Sequence, residues 1–174
     1  MIQILGDYQG FFAVQKARLS QQNIDISGYP ISHLAYRTET IEVYLGMRDR
    51  IEQHCTANIE NIWNGRPISK LLLESPLDLG DGFTVSLIEL IPPVHQRKYK
   101  MGLEHLGIVV GDDVDEFARE HRSNLTGQQF QSSVCEPYYV LFEDYTHIKF
   151  YRESLKEVCI SEGQEFNGFS HVSE

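Results

Sequence analysis

The sequence predicts an α+β fold in which an N-terminal helix precedes two consecutive βαβββ modules. Apolar residues recur at helical spacing over about residues 8–22. The order strand, helix, strand, strand, strand then occurs twice, over about residues 30–93 and 102–154. The first strand of each module has histidine and leucine followed by a small residue, in SHLA (32–35) and EHLG (104–107). We therefore interpret the chain as one domain with an internal duplication.

Each element of the first module has a local signal. The N-terminal helix is predicted from the spacing of Phe11, Phe12, Val14, Ala17 and Leu19. The following elements are a strand at 30–36, a helix capped by Thr38 or Thr40 that ends near His54, strands near 59–63 and 68–73, and a strand at 83–91. Asn64-Gly65 predicts the turn between the middle strands, and Pro92-Pro93 stops the last one.

The second module repeats this order. Its predicted elements are a strand at 103–110, a helix at 112–121, strands near Phe130 to Cys135 and Tyr138 to Phe142, and a last strand at 147–151. Residues after Leu155 are polar and contain glycine, so we expect a tail packed on the surface.

Composition excludes several classes of protein. The net charge of −10 is wrong for a nucleic-acid binder, because a phosphate backbone needs a basic face. No apolar run approaches the roughly 20 residues that a membrane helix needs, and the N-terminus lacks the features of a secretory signal. Three widely spaced cysteines predict free thiols in a cytoplasmic protein. The basic run 95–100 is interpreted as a solvated loop, with contact to an anionic substrate as the alternative.

Three polar residues occupy central positions in otherwise apolar strands. Because residues i and i+2 of a strand face the same side, His33 and His105 share their faces with apolar neighbours. Glu89 likewise lies in phase with Val85, Leu87 and Ile91. A carboxylate on an apolar face is costly unless it is paired, protonated or bound to metal. His₂Glu is a ligand set of catalytic zinc and non-haem iron sites, so the three residues predict a divalent-metal site.

Alternatives to a metal site remain open at this point. A lone core histidine is more often a hydrogen-bonded structural residue. Glu89 could form a buried salt bridge with Arg37 or Lys70. A β-bulge could also invert the assignment of faces along a strand.

The motifs resemble those of a known family. A duplicated βαβββ unit, with a histidine in its first strand and a glutamate in its last, resembles the vicinal-oxygen-chelate superfamily. The longer segments resemble the YecM family: SHLAYRTETIEVY, NIWNGRPISKLLL, LIELIPP, YKMGLEHLGIVVGD, LTGQQFQS and YTHIKFYRESL. The resemblance covers nearly the whole chain. It implies a glyoxalase/dihydroxybiphenyl dioxygenase-like curved mixed sheet over residues 1–174, in a cytoplasmic bacterial protein with a metal site and no established reaction.

The resemblance also implies a fourth ligand position, where this sequence departs from the pattern. Aligning IELIPP with IKFYRE puts Lys149 where a glutamate is expected. A protonated ammonium is a poor ligand, so the fourth ligand could be His147 after a register shift, or water. Lys149 could act as a base or as a partner of an oxyanion, or it could be a surface lysine. Arg37, Lys70 and Gln129 are expected to line the cavity and bind substrate.

Three functions are therefore considered. The first is a metal-dependent isomerase, lyase or oxygenase that acts on a small oxygenated molecule. The second is a non-catalytic protein that binds a small molecule or a metal. In the third the histidines are structural core residues and no metal binds. Zinc is the first choice of cation, with iron, manganese or nickel as alternatives. A monomer or a homodimer is expected.

Overall fold

A computed structural model describes residues 1–93 and 99–172. Residues 95–98, most of the basic run predicted to be a loop, lie outside the described residues. The elements in chain order are α1 (Ile2–Leu5), α2 (Tyr8–Gln21), β1 (Ile31–Arg37), α3 (Ile41–Glu52), β2 (Cys55–Trp63), β3 (Arg66–Gly80), β4 (Phe83–Ile91), β5 (Gly102–Val109), α4 (Val114–Glu120), β6 (Gly127–Gln128), β7 (Tyr138–Leu141), β8 (His147–Tyr151), α5 (Leu155–Ser161) and β9 (Gly168–Ser170).

All nine of these strands form one mixed sheet in the order β6-β7-β8-β5-β1-β4-β3-β2-β9. The first strand of each module pairs in parallel with the last, β1 with β4 and β5 with β8. The two first strands pair with each other in antiparallel orientation at the centre. The two halves thus have the same topology on either side of the β1–β5 pair, which confirms the predicted α+β fold of two βαβββ modules with an N-terminal helix.

The two faces of the sheet have different neighbours. One face packs against the main core, to which α2 contributes Phe12 and Leu19 and α3 contributes Tyr44 and Ile51. The strands contribute the alternate residues Leu34, Ile88, Leu90, Leu106 and Ile108 to this core. The opposite face has two small clusters of buried residues, one of Ala35, Ile68 and Ile91 and one of Cys135, Tyr151 and Val158. Since successive side chains alternate between faces, the polar residues that interrupt the strands meet on this second face.

The predicted strand from Phe130 to Cys135 is wrong. The second module instead has the two-residue β6 at Gly127–Gln128, followed by an isolated bridge between Ser132 and Cys135. The carbonyl of Cys135 accepts hydrogen bonds from the amides of Gln131 and Ser132, so this segment folds back on itself. Phe130 is 70% exposed. The backbone groups are satisfied within a tight turn, and a neighbouring strand is not needed.

The C-terminal segment is more regular than the predicted surface tail. Helix α5 begins with a capping box in which Ser154 and Glu157 bond reciprocally to each other's backbone amides. It buries Leu155 and Val158. Strand β9 then extends the sheet by pairing in parallel with β2. The three cysteines are free, as predicted.

The helices of the described ranges were compared with the dimensions of a bilayer. Within residues 1–93 and 99–172, no helix combines the length and the apolar character needed to span one.

Candidate metal centre

His33, Glu89 and His105 come together on the second face of the sheet, at its centre. They project from the adjacent strands β1, β4 and β5. Nε2 of His105 lies 3.1 Å from Oε2 of Glu89 and 3.3 Å from Nε2 of His33. Nε2 of His33 lies 3.7 Å from the same carboxylate oxygen. Both imidazoles are buried. The structure therefore brings together the three residues that the sequence predicts as metal ligands.

The strand register explains why both histidine motifs end in a small residue. His33 lies opposite Gly107 on β5, and His105 lies opposite Ala35 on β1. Each imidazole therefore lies over the small residue of the other module's motif. The contact is tightest at Gly107, where an added Cβ would lie 2.5 Å from Nδ1 of His33 and 3.1 Å from its Nε2. Because Gly107 has no side chain, the His33 ring can pack directly against it.

Two β-bulges place the residue before each histidine beside that histidine. The β1–β5 register skips Ser32 on β1 and Glu104 on β5. Ser32 Oγ lies 2.9 Å from Nδ1 of His33, and Oε2 of Glu104 lies 3.0 Å from Nδ1 of His105. Strict alternation would have put both partners on the opposite face of the sheet. The sequence analysis missed them for that reason.

These partners orient the two imidazoles. A carboxylate only accepts hydrogen bonds, so Nδ1–H of His105 donates to Glu104 and its Nε2 faces the triad. Ser32 Oγ accepts a hydrogen bond from the backbone amide of Leu155, which fixes the hydroxyl next to His33. A carboxylate partner of this kind sets the tautomer and orientation of a metal-ligating histidine.

The three donor atoms fit one divalent cation. A triangle with edges of 3.1, 3.3 and 3.7 Å has its corners about 2.0 Å from their common centre, which matches zinc–nitrogen and zinc–carboxylate distances of about 2.0–2.2 Å. Two imidazole nitrogens and one carboxylate oxygen on one side of an ion form a facial triad. The donor set and its spacing therefore fit one divalent cation.

The protonation states also suit a metal. Burial, opposed by the charge of Glu89, lowers the pKa of His33 to about 3, so its ring is neutral at pH 7. Burial alone would raise the pKa of Glu89. The hydrogen bond with His105 and the charges of His105 and Lys149 instead hold it well below its usual range. Neutral His33 and ionised Glu89 are the forms that bind metal.

Lys149 occupies the position in the second module that Glu89 occupies in the first. Glu89 pairs with Ala35 on β1, and Lys149 pairs with Gly107 on β5, each two residues after the histidine. The Lys149 side chain is buried and lines the cavity beside the triad. It forms no hydrogen bond or ion pair with the residues that the structure describes. Lys149 is thus a buried ammonium at the centre of the molecule and not a surface lysine.

His147 lies behind the triad. It pairs with His105 across β5 and β8, and the two rings stack with centroids 4.4 Å apart. Burial, with the charges of His105 and Lys149, lowers the pKa of His147 to about 2. Glu104, His105 and His147 form a second possible ligand group, but Glu104 and Nδ1 of His105 are already bonded to each other. The His33, Glu89 and His105 group is the better candidate.

A cavity of about 440 Å³ opens beside the triad and is lined by two of its residues, Glu89 and His105. Arg37, Lys70 and Gln129 line it, as the sequence analysis expected. Arg37 forms a buried ion pair with Glu104, with Nε 2.6 Å from Oε1. Lys70 donates a hydrogen bond to Asn61. Among the described residues neither cation forms an ion pair with Glu89, so the salt-bridge alternative for Glu89 is not what the structure shows.

The chain was compared with known proteins. The family model described as "YecM protein" matches residues 1–136, a range that includes the triad and ends before Lys149. The solved structure of Protein EC4020 is 25% identical, with a TM-score of 0.72 over 92% of this chain and 91% of that one. The 2,3-dioxygenase LapB from Pseudomonas sp. KL28 is 12% identical, with a TM-score of 0.46 over 74% of this chain and 42% of that one, and we draw no argument from it. No curated protein matched.

Proposed function

The chain belongs to the YecM family, and from that premise we propose that it binds one divalent metal cation through His33, Glu89 and His105 as a vicinal-oxygen-chelate protein. The single observation that supports this most is the triangle of three donor atoms with edges of 3.1 to 3.7 Å. The duplicated topology places these residues on the central strands, where both modules contribute.

We propose that the site acts on a small oxygenated molecule, as a metal-dependent isomerase, lyase or oxygenase. A bound cation would act as a Lewis acid towards the oxygen atoms of such a molecule. The cavity of about 440 Å³ has the size of a small-molecule site. Its position over the triad lets a ligand contact the metal and the lining residues together.

Lys149 is the residue that we propose for the chemical step. Its ammonium lies beside the triad and has no partner among the described residues. A positive charge held in a low-dielectric cavity stabilises negative charge that develops on a substrate oxygen. In this role Lys149 acts as an oxyanion partner.

Zinc is the first choice of cation for this donor set. Two histidines and one carboxylate are the protein ligands of several catalytic zinc sites. The same set in a facial arrangement also suits non-haem iron. Manganese and nickel remain alternatives, since geometry at three ligands does not separate them.

A non-catalytic metal-binding or ligand-binding protein is the second candidate. One observation favours it: the position equivalent to Glu89 is Lys149, so a second carboxylate that could serve as a base is missing from that position. The two candidates differ in turnover and agree in metal binding.

The metal proposal is tested by titrating the metal-free chain with zinc, manganese, iron(II) and nickel in a calorimeter. We expect one site per chain for the preferred cation. Glu89→Gln keeps the size of the side chain but removes its charge, and we expect binding to weaken by at least about a hundredfold, or about 2.7 kcal/mol. Equal affinity of the wild type and Glu89→Gln for every cation would reject the proposed ligand set.

A further inference from the structure

The cavity over the triad has an excess of positive charge, although the whole chain has a net charge of −10. Seven ionised side chains line it, namely Arg37, Arg66, Lys70, Lys149, Glu89, Glu104 and Glu162. Arg37 and Glu104 neutralise each other in their buried ion pair. Glu89 belongs to the proposed metal site, where the positive charge of a bound divalent cation would exceed the negative charge of the carboxylate. Arg66, Lys70 and Lys149 therefore remain opposite a single carboxylate, that of Glu162, which is exposed.

Arg66 has unsatisfied hydrogen-bond donors. Its Nε and Nη1 atoms are buried and have no hydrogen-bond partner in the part of the chain that the structure describes. Burial and the nearby charge of Arg37 lower the pKa of Arg66. Burying two guanidinium nitrogens without a partner is costly, because their donors lose water and gain nothing in exchange. An acceptor from outside the chain would satisfy them.

Lys70 lies on the same side of β3 as Arg66, since the two are four residues apart and every second residue faces one side. Ile68 lies between them and packs with Ala35 and Ile91. The register pairs Lys70 directly with Glu89, so this row of β3 runs from the metal triad outwards along the cavity wall. Among the residues that the structure describes, Lys70 donates one hydrogen bond, to the neutral side chain of Asn61, and forms no ion pair.

We propose that Arg66 and Lys70 form a subsite for an oxyanion, the carboxylate or phosphate group of the small molecule that the cavity binds. The inference rests on the proposed function, because the triad defines which part of that molecule reacts. A planar guanidinium with two free N–H groups and an ammonium nearby are the donors that bind carboxylates and phosphates most strongly. Because Arg66 and Lys70 lie on β3, next to Glu89 on β4, they would bind the anionic group beside the metal site, on the side of the cavity formed by the first module.

The test uses the metal-free chain, so that binding to the metal does not contribute. Inorganic phosphate, lactate and the neutral analogue 1,2-propanediol are titrated against it, with the melting temperature and calorimetric affinity as readouts. We expect phosphate or lactate to bind and to raise the melting temperature, and the diol to have no effect. Tighter binding of phosphate assigns a phosphate ester, and tighter binding of lactate assigns a carboxylate.

Three variants locate the subsite. Arg66→Gln and Lys70→Met should each weaken oxyanion binding by about tenfold, which corresponds to about 1.4 kcal/mol. Lys70→Arg keeps the charge and should keep most of the affinity. The control, Lys156→Met, removes an exposed lysine outside the cavity and should change nothing. Unchanged affinity in both Arg66→Gln and Lys70→Met, or binding of both phosphate and lactate no tighter than that of the diol, would overturn the subsite.

Metal titration of the same variants separates this inference from the proposed function. We expect Arg66→Gln and Lys70→Met to bind one metal ion as the wild type does. If the chain binds metal and neither substitution changes its affinity for the oxyanion, the subsite is rejected and the metal site is not. A chain that binds no metal rejects the metal site, whatever the oxyanion result.

Discussion

Substitution of Gly107 by alanine should disable the metal site without touching a ligand. The added methyl carbon would lie 2.5 Å from Nδ1 of His33 and closer still to Cε1. Non-bonded heavy atoms pack at about 3.5 Å, so the ring must recede by about 1 Å. Gly107 has no positive φ, so the alanine backbone itself is unstrained. Metal–ligand distances tolerate only about 0.2 Å, and a displaced His33 is therefore lost as a ligand.

The assay is calorimetric titration of the metal-free Gly107→Ala chain with its preferred cation. We expect the affinity for the metal to fall by about tenfold to a hundredfold, the range seen when a metal ligand loses its orientation. Overpacking should also lower the free energy of unfolding by about 1–3 kcal/mol. Gly46→Ala is the matched control, because Gly46 lies on α3 with no atom within 4 Å of an added Cβ. That variant should bind metal normally and gain about 0.5–1 kcal/mol in stability.

A double-mutant cycle with His33→Ala tests the steric reason. Once the imidazole is gone, the Gly107→Ala methyl has room, so its cost in stability should nearly vanish in the His33→Ala background. Wild-type metal affinity in Gly107→Ala, or the same cost of unfolding in both backgrounds, would refute the argument that His33 packs on Gly107.

Three further outcomes follow from the buried charges. Glu104→Gln leaves Arg37 buried without its ionic partner, so chemical denaturation should show a loss of about 3–5 kcal/mol; a loss within error of zero contradicts this. The pKa values of His33 and His147 in the folded chain, about 3 and about 2, lie below the unfolded value of 6.5. As the pH falls towards 5, the unfolded chain therefore binds protons at these two histidines that the folded chain does not bind. The melting temperature of metal-free protein should therefore fall from pH 7 to pH 5, and a flat profile would oppose it. Lys149→Met removes a buried ammonium and should raise the melting temperature of the metal-free chain, whereas a structural lysine would lower it.

The central strands and the triad could be predicted from the sequence because polar residues interrupt apolar strands and the same short motif occurs twice. His33, Glu89 and His105 interrupt apolar patterns of period two, and the repeated His-Leu-small motif identified two equivalent strands. The register of Lys149 followed from the same duplication. These features depend on local patterns alone, which is why they needed no knowledge of packing.

The supporting residues could not be predicted, because they depend on departures from regular geometry. The bulges at Ser32 and Glu104 turn both side chains towards their histidines, and alternation places them on the other face. The sequence from Phe130 to Cys135 has strand-like composition but closes on itself through its own backbone. Helix α5 did have a signal, the capping box of Ser154 and Glu157.

The most direct test is the metal content of the chain purified without chelator or affinity tag, measured by elemental analysis beside the paired variant His33→Ala, His105→Ala. His54→Ala, which removes an exposed histidine, is the control. We expect about one divalent cation per chain in the wild type and in the control, and none in the paired variant. Full metal stoichiometry in the paired variant would contradict the site.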